Sequence, residues 1–262
     1  MTWVTAGDGV RLRCRDAGPA DGPAIVLVHG WKGSHRTWDR LVPHLADDFR
    51  VVSYDLRGMG ESDKPRSGYD FDTMADDLGA VLDGLAVEDA TVVGASMGCS
   101  VTLQYMSRHG RRVRRVVLNN GPVMLARKTD FPWAMPPEQL AGHITAVEQR
   151  WPVAEWEGLE AAGTDLPTRV WAYGIAVQTP LDVALAVVRE QEKLDHREAV
   201  RTLAVPVLAA YSTRDPYYPP ELAQWIADTA KDGSVRLFHA SGHATAHEEP
   251  AEFARAIREF AT

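Results

Sequence analysis

Short β-type runs alternate with longer helical patterns along most of this chain, and the alternation lapses once, between Pro122 and about Val200. Such a rhythm marks a mostly parallel sheet covered by helices on both faces. Strands are read at Ala24 to Val28, Arg50 to Tyr54, Ala90 to Gly94, Val113 to Leu118, Val207 to Tyr211 and Val235 to Phe238. Helical spacing falls at Thr37 to Ala46, Phe71 to Leu85, Met97 to His109, Pro220 to Lys231 and Pro250 to Phe260. In the second of these, Met74, Leu78, Val81, Leu82 and Leu85 share one face. The expected fold is α/β.

The lapse is helical and tryptophan-rich, carrying Trp133, Trp151, Trp156 and Trp171, and prolines at 132, 136, 137, 152, 167 and 180 cut it into short helices. Because it leaves and re-enters between two strands, it reads as a helical cap inserted over one end of the sheet. The expected division is a core of residues 1–121 and 201–262 and a cap of 122–200.

With 262 residues, 45% of them hydrophobic, the chain can bury a sizeable core. The net charge of −8 speaks against nucleic acid or an anionic membrane as a partner, since either calls for clustered Lys and Arg. Neither the run Met1 to Arg15 nor any later stretch has the apolar length of a signal peptide or a membrane span, so a cytoplasmic protein is expected. Two cysteines, Cys14 and Cys99, do not suggest a disulfide framework.

Gly94-Ala95-Ser96-Met97-Gly98 lies between an apolar strand and a helix. This G-x-S-x-G arrangement is a nucleophile elbow, whose glycines keep bulk away from a sharp turn that lifts the serine hydroxyl clear of the sheet. Ser96 is the candidate nucleophile. A serine hydroxyl needs a base, and the base needs a third group to fix its tautomer. Ser241-Gly242-His243 occupies the loop between the last strand and the last helix, at the sheet edge that carries Ser96. His247 lies close to the start of the final helix, and His44, His109, His143 and His196 fall in helical or helix-end stretches read as surface or lid, so His243 is the candidate base. Asp215, in the turn after Val207 to Tyr211, is the candidate carboxylate; it could also simply cap that turn. The preceding strand ends in Asn119-Asn120 and offers no acid.

The elbow, His29-Gly30-Trp31, the loop Asp55-Leu56-Arg57-Gly58-Met59-Gly60-Glu61-Ser62, and the order Ser96, Asp215, His243 together resemble the α/β-hydrolase superfamily over nearly the whole chain. The nearest branch is that of esterases, lactonases and cofactor-free haloperoxidases, or perhydrolases. The resemblance implies an oxyanion hole from the backbone N–H groups of Trp31 and Met97, with His29 shaping that loop. It also implies hydrolysis of an ester or lactone of a small apolar or aromatic molecule through an acyl-enzyme, without metal or organic cofactor. The resemblance leaves two alternatives for this chain: a cofactor-independent dioxygenase using a Ser-His pair as base, and a small-molecule receptor or signalling protein on the same fold. The cap tryptophans Trp133, Trp151, Trp156 and Trp171 have two readings, packing the cap onto the core or, for at least one of them, walling the substrate pocket; with His35 and Trp38 they are the candidate substrate-pocket residues.

Overall fold

A computed structural model describes residues 1–161 and 165–262. Its sheet has eight strands: β1 (Thr2–Thr5), β2 (Arg11–Ala17), β3 (Ala24–Val28), β4 (Arg50–Tyr54), β5 (Ala90–Ala95), β6 (Val113–Asn119), β7 (Val207–Ser212) and β8 (Gly233–Phe238). They lie in the order β1-β2-β4-β3-β5-β6-β7-β8. The first pair is an antiparallel hairpin and β2 meets β4 antiparallel, while every pairing from β4 to β8 is parallel.

Period-two alternation sends successive side chains to opposite faces of a strand, so a sheet covered twice needs apolar residues at nearly every position. β3 meets this demand with five buried residues in a row. Val26, Val28, Val92, Val116 and Leu118 face one core, under α1 (Phe71–Gly84), α2 (Met97–Arg108) and α8 (Pro220–Thr229). Ile25, Leu27, Val93 and Val117 face a second core, shared with Trp38, Leu41, Leu45 and the last helix, α10 (Pro250–Ala261).

The spacing of Thr37 to Ala46 predicts an α-helix, but the chain forms two short 3-10 helices there, His35–Trp38 and Val42–His44. Pro43 sits within the second. It lacks the N–H that a continuous helix would require, and its ring opposes the carbonyl four residues back. Trp38, Leu41, Val42 and Leu45 are nonetheless all buried, so the apolar spacing is used without the helix.

Between β6 and β7 run five helices: α3 (Pro137–Arg150), α4 (Val153–Ala161), α5 (Leu166–Ala176), α6 (Leu181–Gln191) and α7 (Arg197–Thr202). No strand of the sheet lies among them within the described residues. The last of these helices crosses the expected boundary at residue 200. His196, read from sequence as a surface or lid residue, is 3% exposed at the start of α7, because its segment packs back onto the core beside Val123 and Val200. A short helix α9 (Thr245–Glu248) precedes α10 and contains His247. No single helix among the described residues is long and apolar enough to cross a membrane.

Candidate active site

Parallel strands paired in register deliver their C-terminal ends to one edge. Ala95 of β5 lies beside Asn119, Asn119 beside Ala210, and Ser212 beside Phe238. Ser96, the turn holding Asp215, and the loop holding His243 therefore leave the sheet side by side.

Ser96 has φ 53° and ψ −123°, a conformation costly for a residue with a Cβ. The chain holds it there through two close approaches. A Cβ on Gly98 would lie 2.2 Å from the Val28 carbonyl oxygen, and one on Gly94 would lie 2.6 Å from the Gly98 carbonyl oxygen. Both positions therefore demand glycine, and α2 can start directly after the serine. Met97 is the first residue of that helix, so its N–H is one of the donors without a partner four residues back.

His243 Nε2 lies 3.0 Å from Ser96 Oγ, and its Nδ1 lies 2.8 Å from Asp215 Oδ2. A carboxylate only accepts, so Nδ1 carries the proton and Nε2 presents its lone pair to the serine hydroxyl. Burial alone would lower the imidazole pKa, but the charge and hydrogen bond of Asp215 outweigh it and hold His243 above its ordinary value. The Asp215 side chain is fully buried. Its Oδ1 accepts from the backbone N–H groups of Tyr217, at 2.8 Å, and Tyr218, at 3.3 Å. The turn cap and the partner of His243 are thus one residue, each oxygen serving one purpose.

His29 is also completely buried, and its Nε2 accepts from the Leu56 N–H at 3.0 Å. The proton therefore sits on Nδ1, which donates to the Gly30 carbonyl at 2.7 Å. Burial, only partly opposed by Asp55, lowers its pKa and keeps it neutral. Its bonds brace the loop that carries Trp31. Asp55 accepts from the His35 backbone and ring and from the Glu61 N–H, and buried Arg57 forks onto Asp77. The glycine-rich segment after β4 is pinned by these contacts.

Ser96, Met97, Trp31 and His243 border a cavity of about 890 Å³, whose far wall comes from the five-helix excursion through Leu140, Val147 and Val188. The expected tryptophan wall is absent from it among the described residues. Trp133 packs edge-on to Phe131 and near Trp225, beside a separate hollow of about 190 Å³. Trp156 meets Tyr173 edge to face, and Trp171 stacks on His247 at 4.5 Å. Trp151 lies near the Lys32 ammonium, 5.6 Å from ring centroid to Nζ. Trp156 and Trp171 thus pack between helices, Trp133 packs within its own loop and against α8, and Trp151 sits beside Lys32. His35 and Trp38 are corrected likewise: the first is buried against Asp55, the second is sealed under the sheet with Leu41 and Leu45. The tryptophan in the cavity wall is Trp31, whose indole N–H donates to the Ala184 carbonyl of α6 at 3.0 Å.

Sequence reading missed several supporting groups. Asn120, buried at φ 43°, accepts from the Ser212 N–H and lies within hydrogen-bond reach of the Gly242 and His243 carbonyls. Glu249 accepts from the Ala240 and Ser241 N–H groups, and Glu248 from that of Gly242. The Tyr217 ring stands edge-on to the His243 ring at 4.9 Å. An Asn-Asn pair at a strand end and a Glu-Glu pair after a histidine loop were the available signals.

A family profile describing the alpha/beta hydrolase fold matches residues 23–250. The chain belongs to the α/β-hydrolase family. Among α/β-hydrolases it is 29% identical to a bifunctional esterase/perhydrolase of Acinetobacter calcoaceticus over 260 residues, covering 93% of each chain. A bromoperoxidase from Bacillus anthracis superposes with a TM-score of 0.92 at 26% identity, over 99% of this chain and 98% of the other. An esterase from Exiguobacterium antarcticum gives a TM-score of 0.93 at 23% identity with the same coverage, which bears on the fold.

Proposed function

We propose that this α/β-hydrolase is a serine esterase or lactonase that works through an acyl-enzyme. The observation that carries the reading is the continuous hydrogen-bonded line from Asp215 through His243 to Ser96. In it, His243 Nε2 takes the hydroxyl proton as Ser96 Oγ attacks the ester carbonyl. The imidazolium then gives that proton to the departing alcohol oxygen, and Asp215 stabilises its charge throughout. Water, deprotonated by the same nitrogen, attacks the acyl-enzyme and releases the acid with Ser96 restored.

Charge gathers on the carbonyl oxygen in both tetrahedral intermediates. The main-chain N–H groups of Met97 and Trp31 are assigned to receive it, and one such donor contributes roughly 3–4 kcal/mol to the barrier reduction. The apolar wall of Leu140, Val147 and Val188 favours a small apolar or aromatic substrate. The similarity to a named esterase/perhydrolase supports ester chemistry. The test is turnover of p-nitrophenyl esters by the wild type and by Ser96→Ala. Loss of several orders of magnitude in the variant is expected, and an unaffected rate would remove the assignment.

A further inference from the structure

The loop residue after Trp31 is unusual in three ways. Lys32 has φ 57°, which a side chain rarely adopts. It is 6% exposed although charged, and its ammonium is ion-paired with Glu155 of α4, itself 15% exposed. The same ammonium lies 3.8 Å from the centroid of the Trp31 ring. A buried charge requires a partner, and this partner comes from a different part of the fold.

Trp31 is held from the same direction. Its indole N–H bonds to Ala184 of α6, and its ring meets His143 of α3 edge-on at 5.5 Å. Two adjacent residues of the oxyanion loop are therefore gripped by three helices of the cap. Lys32 and Glu155 both border the cavity that contains Ser96.

We propose that Lys32 and Glu155 are positioning residues, which set the Trp31 N–H toward the oxyanion by tying its loop to the cap. The inference rests on the acyl-enzyme reading above. The ion pair holds Lys32 in the Gly30–Gly33 turn, whose Gly33 N–H donates to the Gly30 carbonyl at 3.0 Å and so restrains the Gly30–Trp31 peptide that carries the Trp31 N–H. Cap docking and oxyanion stabilisation are one event in this arrangement. A substrate that lets the cap seat fully meets a complete oxyanion hole, whereas a bulky one that displaces α4 meets a weakened one.

The test compares the double variant Lys32→Met/Glu155→Leu, which leaves no buried charge, with the single variant Glu155→Gln. On p-nitrophenyl acetate, kcat should fall about 10- to 100-fold while KM stays within about threefold. Thermal stability of the double variant should stay near wild type, a separation that a purely structural pair would not give. Lys32→Arg should recover most of the kcat lost in Lys32→Met. A phenylboronic acid, whose adduct on Ser96 occupies the oxyanion site, should bind Glu155→Gln at least about tenfold more weakly, and this binding decides the matter if the double variant does not fold. Wild-type kcat in the folded variants, or a raised KM with kcat unchanged, overturns the proposal. A parallel Ser96→Ala sample separates the two levels: inactive Ser96→Ala beside fully active ion-pair variants sinks this proposal alone, and active Ser96→Ala sinks the acyl-enzyme reading with it.

Discussion

The Asn120 side-chain nitrogen lies 3.1 Å from the carbonyl oxygen of His243, so the end of β6 holds the loop that presents the histidine. The same nitrogen is 2.9 Å from Thr245 Oγ1, and the amide oxygen accepts from Ser212 at the end of β7. One side chain thus fastens together three loops at the sheet edge. Asn120→Ala should destabilise the fold by about 1–3 kcal/mol, through the polar groups left unpaired. Ester hydrolysis by the folded fraction should fall about 100-fold, since misplacing His243 by an ångström is enough. Denaturant unfolding together with kcat measured below the transition checks both effects.

The pH dependence follows from the environment of His243. Only the neutral imidazole accepts the serine proton, so kcat/KM should rise with pH along a limb whose midpoint lies above 6.5, because Asp215 raises this pKa. In Asp215→Asn the larger raising influence disappears, leaving only the weaker one of Glu248 against burial. The limb should then move below 6.5, with the plateau reduced by orders of magnitude because the imidazolium is no longer stabilised. A rate profile from pH 4 to 9, on the order of the span over which a histidine titrates fully, measures both midpoints.

Substrate preference should respond to α3 and α6 rather than to the four tryptophans of the excursion. Val188→Phe or Leu140→Ala should change the ratio of kcat/KM between p-nitrophenyl acetate and a bulky aryl ester, since both residues wall the cavity beside Ser96. Trp133→Ala should leave that ratio alone and lower stability, by at most the roughly 3–5 kcal/mol typical of a fully buried tryptophan. Paired kinetics on the two esters, with thermal melts, distinguish these roles.

The loop after β4 depends on Arg57, 1% exposed, whose guanidinium grips the equally buried Asp77. Arg57→Met strands that carboxylate and should cost about 3–5 kcal/mol. Arg57→Met combined with Asp77→Leu should recover much of it. Urea unfolding of the single and double variants measures the difference.

The three residues at the sheet edge were legible because each sits in a local setting with its own signature. A glycine pair around a serine, a histidine after Ser-Gly, and an aspartate in a strand-end turn are short-range facts, and β/α alternation places all three ends on one side. The reading that Asp215 either caps a turn or faces the histidine dissolved because a carboxylate has two oxygens. Asn120 was visible only as the absence of an acid, and its bracing role was not, because its partners lie more than 90 residues away and meet it only in the folded sheet. The choice between the two readings of the tryptophans was open for a related reason: an apolar side chain is expected to be buried, but the sequence does not say whether it faces a cavity or a neighbouring segment. Trp133 chose Phe131 and Trp171 chose His247.

A covalent acyl intermediate on Ser96 is tested most directly by rapid acid quench of the enzyme with a p-nitrophenyl ester, followed by peptide mass analysis. The predicted result is one acyl mass per chain on the peptide that contains Ser96, formed in step with a burst of nitrophenol and absent from Ser96→Ala. Steady hydrolysis with no adduct on that peptide, persisting in Ser96→Ala, would contradict it.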